Sequence, residues 1–207
     1  MTPRILLVGM MGAGKTTTGQ LLARRLGWGY RDSDADVEAA TGHTVPELFA
    51  SDGEAAFRRA EATVLAGACA DPSPSVVSVA GGAVLSEENR RLIGSSGIVV
   101  WLRARPETLA TRLGDATGRP LLGGDPAEAV VRLNAVRSPL YAEVADLVLD
   151  VEGLDPEAVV DRIIDTMDTA ADTAADTAAD TVADTAADPS AVTGTATGTA
   201  TAPGQAR

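Results

Sequence analysis

Gly9-Met10-Met11-Gly12-Ala13-Gly14-Lys15-Thr16 carries the chemistry that is easiest to read in this chain. It fits G-x-x-x-x-G-K-[ST], a loop built to hold phosphate. Glycines at 9, 12 and 14 admit backbone angles that side-chained residues avoid, so successive N–H groups can turn inward around an anion. Lys15 can reach β- and γ-phosphates as a mobile point charge, and the Thr16 hydroxyl can ligate Mg²⁺. A nucleoside triphosphate is the ligand such a loop takes. Gly12, Ala13, Gly14, Lys15, Thr16 and Thr17 are its expected contacts. The flanks agree. Ile5-Leu6-Leu7-Val8 reads as a buried strand, and the stretch to Leu26 as a helix whose positive N-terminal end faces the loop, with Gly27 as its C-cap.

Further polar groups fall where a phosphate loop would need a partner. Trp28-Gly29-Tyr30-Arg31 reads as a second strand closed by Asp32-Ser33-Asp34. Ligands of α/β sheets bind beyond the carboxyl ends of strands. Two carboxylates there can serve different neighbours, one a metal and one a substrate; a plain polar turn or helix N-cap is the alternative. Val76-Val77-Ser78-Val79 is a third strand, and it runs into Ala80-Gly81-Gly82-Ala83. Small residues there let backbone approach a ligand, or simply make a tight turn. Between Gly114 and Pro126 the chain is rich in glycine and proline around Arg119. In a phosphate-loop protein this is the composition of a lid that closes on the nucleotide, with a passive surface loop as the alternative.

The remaining segments position these groups. Asp36 to Ala40 reads as a short helix ended near Gly42, and Thr44-Val45-Pro46-Glu47 as a capping box with proline in the first turn. Glu54 to Ala70 is a longer helix, with Phe57, Val64 and Leu65 on one stripe and Arg58 able to pair with Glu61. Ser86 caps a helix to about Ile93, Ile98 to Leu102 is a strand, and Pro106 opens a helix to about Leu113. A helix from Ala127 to Arg137 precedes Ser138-Pro139-Leu140-Tyr141; Leu147-Val148-Leu149 is the last strand, and Asp155-Pro156 starts a helix ending near Met167.

The totals narrow the function. The 207 residues carry a formal net charge of −12, which argues against a general binder of nucleic acid or of an anionic membrane. An anionic substrate then needs a local basic cluster. Hydrophobic residues make up 45% but aromatics only 3%, so the core is aliphatic. The one cysteine, Cys69, excludes an intrachain disulfide and reads as a small apolar residue of a helix. The one histidine, His43, reads as a solvated loop residue, which leaves no histidine base. The apolar run before the glycines is too short for a signal peptide, and the cytoplasm is the expected location. From Asp168 the chain changes to a Thr-Ala-Ala-Asp repeat and ends in Thr, Ala, Gly and Pro. With nothing apolar to bury, residues 168–207 are expected to be a disordered acidic tail behind one domain over 1–167.

In this order and spacing, the chain resembles the shikimate kinases from Arg4 to Met167. The resemblance is carried by the phosphate loop, Asp32-Ser33-Asp34, Phe57-Arg58-Arg59-Ala60-Glu61, Ala80-Gly81-Gly82, Gly118-Arg119-Pro120-Leu121-Leu122 and Arg137-Ser138-Pro139-Leu140-Tyr141. It implies an α/β fold with a five-stranded parallel sheet between helical layers, a helical substrate-binding segment and a mobile lid. Five strands are also what the residues themselves indicate. The implied activity is ATP-dependent phosphorylation of shikimate with Mg²⁺, by a protein expected to be monomeric. In that reading Thr16 holds the metal and Asp32 assists through water. Asp34 takes substrate hydroxyls, Arg58 and Arg137 clamp the carboxylate, and Gly81 and Gly82 line the substrate. Arg119 bridges toward the transferring phosphate, and Arg112 lies against the adenine. Ala80 stands where the family usually has a glycine. A gluconate-like kinase, or a non-catalytic nucleotide-binding module, are the competing readings.

Overall fold

Arg4-Ile5-Leu6-Leu7-Val8 is buried along its whole length, as a strand must be when helices cover both faces of its sheet. In the computed structural model, which describes residues 3–114 and 125–169, this strand β1 (Arg4–Val8) is the centre of a five-stranded sheet. The others are β2 (Gly29–Asp32), β3 (Ser75–Ser78), β4 (Ile98–Arg103) and β5 (Leu147–Asp150), in the order β2-β3-β1-β4-β5. Each neighbouring pair is parallel, with Leu6 opposite Val77 on one side and Val99 on the other. The chain leaves β1 to one side and returns to its other side with β4, so β1 borders the point where the winding reverses. Such a switch point opens a crevice at the carboxyl ends of the strands.

The helices are α1 (Lys15–Leu26), α2 (Ser33–Thr41), α3 (Val45–Ser51), α4 (Gly53–Ala70), α5 (Glu87–Ser95), α6 (Pro106–Leu113) and α7 (Pro126–Val144), with a 3₁₀ turn at Ala83–Leu85. The caps are local chemistry. Gly27 takes a left-handed angle at the end of α1. Thr44 and Glu47 exchange both capping-box hydrogen bonds at the start of α3. Val37, Leu48 and Phe57 form a small core of α2, α3 and α4, with the rings of Phe49 and Phe57 4.8 Å apart. This core holds the helical segment together beside the crevice. The chain divides into two units, Met1–Ile164 and Asp165–Arg207. Residues 156–164 of the first are helical, and so are 165–169, the described part of the second.

Two local expectations are corrected. The helix after β2 starts at Ser33, not Asp36, because the Asp32 carboxylate accepts from the Asp34 N–H at 3.1 Å and caps it. The helix expected to end at Arg137 runs through Pro139 to Val144. An internal proline costs a helix about 3 kcal/mol. Here buried residues on both sides of it, Ala129, Val130, Arg137, Tyr141 and Val144, outweigh that cost. The lid expectation and Arg119 fall within 115–124, and the tail expectation almost wholly within 170–207, outside the described residues.

Candidate functional site

The phosphate loop lies between β1 and α1. Gly9 takes φ 137°, and a Cβ there would stand 2.6 Å from the Leu102 carbonyl oxygen, so glycine is required both for its angle and for its space. Helix α1 begins at Lys15 behind a left-handed Gly14, with no side chain capping its first turn. Its first N–H groups are thus left for an anion. The Lys15 ammonium folds back on the loop and donates to the carbonyls of Gly9 at 2.8 Å and Met10 at 3.1 Å. Arg112, on α6, donates to the Gly12 carbonyl at 3.4 Å and so stands at the outer edge of the loop.

Beside the loop, Thr16 donates its hydroxyl to Asp32 Oδ2 at 3.0 Å. The Tyr30 hydroxyl donates to the same oxygen at 3.0 Å. Burial, and the negative charge of Asp32, push the Tyr30 phenol up to about 12, so it is a neutral donor at physiological pH. Asp34 sits exposed in the first turn of α2. Asp32 is thus the N-cap of α2 and, through Thr16, also faces the loop.

The far wall is cationic. Arg58, on α4, gives Nη1 to both oxygens of Glu61, at 3.0 and 2.9 Å, and Nη2 to Glu54 at 3.1 Å. Glu61 is 1% exposed. It falls on the buried stripe of α4 between Phe57 and Leu65, and burial raises its pKa against the opposing pull of Arg58. Arg137, on α7, is likewise 1% exposed, and its Nε has no hydrogen-bond partner. An unpartnered buried guanidinium nitrogen is costly, and Arg137 also lines the cleft. Between the two arginines runs the turn after β3. A Cβ on Gly82 would stand 2.8 Å from Arg58 Cζ, so this glycine leaves room for the guanidinium. Ala80 fits the same turn: its N–H donates to Ser33 Oγ at 2.7 Å and its carbonyl accepts from Ala83. Tyr141 donates to the Gly81 carbonyl at 2.6 Å.

These groups line one cleft of about 570 Å³, with Lys15, Thr16, Thr17, Asp32, Asp34, Arg58, Gly81, Gly82, Arg112 and Arg137 on its walls. Ala13, within the loop, is buried. Reasoning on the sequence missed the apolar side of the cleft, formed by Val45, Pro46, Phe49 and Phe57. It also gave no role to Tyr30, which bonds the neighbouring Asp32, or to Ser33 and Tyr141, whose contacts join residues 47 and 60 positions apart. Among the described residues, no group of three or more His, Cys, Asp or Glu converges, and no helix is long and apolar enough to cross a membrane.

A parallel sheet in the order β2-β3-β1-β4-β5, with a phosphate loop after its first strand and an arginine-walled cleft across from it, defines a phosphate-loop kinase. A gluconokinase from Sinorhizobium meliloti shares this fold at a TM-score of 0.52 and 20% identity, over 77% of this chain and 87% of that one. Shikimate kinase from Acinetobacter baumannii, in complex with shikimate, superposes with a TM-score of 0.79 at 35% identity, over 82% of this chain and 94% of that one. The shikimate kinase of Frankia casuarinae is 47% identical over 157 residues, 76% of this chain and 69% of that protein. The family model for shikimate kinase matches residues 11–168. The chain belongs to the shikimate kinase family.

Proposed function

We propose that this chain transfers the terminal phosphoryl group of ATP to shikimate, forming shikimate 3-phosphate on the route to chorismate and the aromatic amino acids. The observation that carries this reading is the pair Arg58 and Arg137, facing a phosphate loop across one cleft. Two guanidinium forks suit a carboxylate, and Arg137 has a buried donor to spare. Asp34, on the rim between them and the loop, suits a hydroxyl. The apolar side made by Val45, Pro46, Phe49 and Phe57 suits the carbon skeleton of a ring. ATP and shikimate are then the ligands of a cytoplasmic monomer with no nucleic-acid or membrane partner, in keeping with its acidic charge balance.

The mechanism follows from positioning and charge. The attacking hydroxyl oxygen bonds to the γ-phosphorus as the β–γ bridging bond breaks, and ADP leaves with that electron pair. Asp34 orients the hydroxyl and takes its proton. Lys15 exchanges the Gly9 and Met10 carbonyls for phosphate oxygens, while the N–H groups of Gly12 to Thr17 hold the polyphosphate. Thr16 and Asp32 set two hard oxygen donors side by side. That pair fits Mg²⁺, which takes one or two side-chain ligands and fills its shell with phosphate and water. When bound, Mg²⁺ neutralises charge on the phosphates. By the family resemblance, Arg112 is assigned to the adenine and Arg119, outside the described residues, to the transferring phosphate. An ADP-release assay with shikimate, with gluconate and without acceptor tests the reading: turnover is expected with shikimate alone. Preference for gluconate, or ADP release independent of any acceptor, would overturn it.

Two further outcomes are expected. Gly82→Ala places a methyl against the Arg58 guanidinium at a backbone angle, φ −94°, that alanine accepts. The guanidinium must move, so KM for shikimate rises about tenfold while KM for ATP stays put. Steady-state kinetics in each substrate check this. The domain reading, a catalytic unit over 1–167 and a dispensable tail over 168–207, is checked by ending the chain after Met167. The Thr-Ala-Ala-Asp repeat offers little apolar area to bury, so Tm and kcat/KM are expected to be unchanged.

A further inference from the structure

Asp32 has its carboxylate held from three directions: Thr16 and Tyr30 both donate to Oδ2, and the Asp34 N–H donates to Oδ1. Tyr30 is the donor that neither the phosphate loop nor the substrate cleft requires. Its position nonetheless shapes the helix opposite. Gly19 lies in the interior of α1, where glycine costs about 1 kcal/mol relative to alanine. A Cβ there would stand 2.6 Å from the Tyr30 ring. The glycine is thus the space into which the ring packs, and the packed ring aims its hydroxyl at Asp32. A carboxylate held on both oxygens has one rotamer. In that rotamer the Thr16 hydroxyl hydrogen is committed to Asp32, which turns the lone pairs of Thr16 outward, where a cation would bind.

From this we infer that Tyr30 is a positioning residue for the Mg²⁺ site: its hydroxyl, seated by the gap at Gly19, locks Asp32 onto Thr16 and so strengthens the nucleotide's metal-dependent binding. The inference rests on the kinase reading only as far as Mg²⁺-nucleotide binding, and it is independent of which acceptor is used. Partners behind metal ligands commonly affect metal affinity by about 10- to 100-fold.

The test is calorimetric titration of ADP into the full chain, once with Mg²⁺ and once with EDTA, without acceptor. The ratio of the two dissociation constants measures the metal's contribution. Tyr30→Phe keeps the ring and removes the hydroxyl. It is expected to lower that ratio about tenfold, with metal-free ADP binding within about twofold of the parent and Tm nearly unchanged. Gly19→Ala, which pushes the ring off its seat with the hydroxyl still present, is expected to lower the ratio as well. An unchanged or increased ratio in Tyr30→Phe overturns the inference. So does equal weakening with and without Mg²⁺, which would make Tyr30 a support of the loop rather than of the metal site. Failure of the kinase reading would show instead as absence of ADP binding by the unmodified chain.

Discussion

Lys15→Ala is expected to keep the fold and to lower kcat by about 10²–10³-fold, the usual cost of removing one donor aimed at developing charge. The ammonium is the cation that the loop itself presents, and in this structure it is held at the Gly9 and Met10 carbonyls. Its removal deletes two hydrogen bonds at the surface of the loop, each contributing about 1 kcal/mol, and leaves β1 and the left-handed glycines in place. Nucleotide affinity should fall less than kcat, because the N–H groups at the start of α1 remain. Circular dichroism and the kinase assay, run on the same sample, check both halves. Near-normal turnover in a folded Lys15→Ala protein would remove the phosphate loop from the mechanism.

Arg58→Ala is expected to act twice. A charge-assisted bond to a carboxylate contributes about 1.5–3 kcal/mol, so kcat/KM for shikimate falls by about 10- to 150-fold, with ATP affinity little changed. Arg58→Lys should recover only part of this, since an ammonium cannot reproduce the two-pronged fork. From the spacing of Arg58 and Glu61 alone, the alternative was an exposed helical pair contributing about 0–1 kcal/mol. Burial of Glu61 to 1% exposure changes that comparison. Removing its partner strands a buried carboxylate, at a cost of about 3 kcal/mol. The sign with pH follows. Burial already raises the Glu61 pKa, and losing Arg58 raises it further, so the folded variant favours the protonated form. Its stability is retained at low pH and falls as pH rises through the raised pKa. Thermal melts of Arg58→Ala at pH 5 and pH 8 should therefore show the larger deficit at pH 8. Wild-type shikimate kinetics in Arg58→Ala would show that the arginine serves Glu61 alone. A pH-independent deficit would show that Glu61 is not the group left stranded.

Much of this protein is written locally. Glycine spacing, the lysine and threonine that follow, and the apolar run before them specify the strand, loop and helix of the phosphate site, because each depends on backbone angles and contacts within a few residues. The same holds for the Gly27 cap and the Thr44–Glu47 capping box. Four short apolar runs, with the Trp28–Arg31 segment, indicate five strands, and helical segments between them imply parallel pairing. The functional assignments of Arg58 and Arg137 came from resemblance, since spacing by itself allowed an ion pair. For Asp32 and Asp34 the strand end beside a phosphate loop already pointed to a metal and a substrate, with a polar turn as the alternative, and the resemblance said which took which. Their convergence is a property of the tertiary structure. Only the strand order, with β3 set between β1 and β2, brings the Gly81 turn against the phosphate loop, to where a Cβ on Gly81 would lie 3.2 Å from the Gly9 carbonyl. The burial of Glu61, the passage of α7 through Pro139, and the contacts Tyr30–Asp32, Ser33–Ala80 and Tyr141–Gly81 were likewise decided there. The last two join residues 47 and 60 positions apart, and no rule of propensity or spacing reaches that far. Packing settles them, because a buried polar group must find its partner wherever the fold has put one.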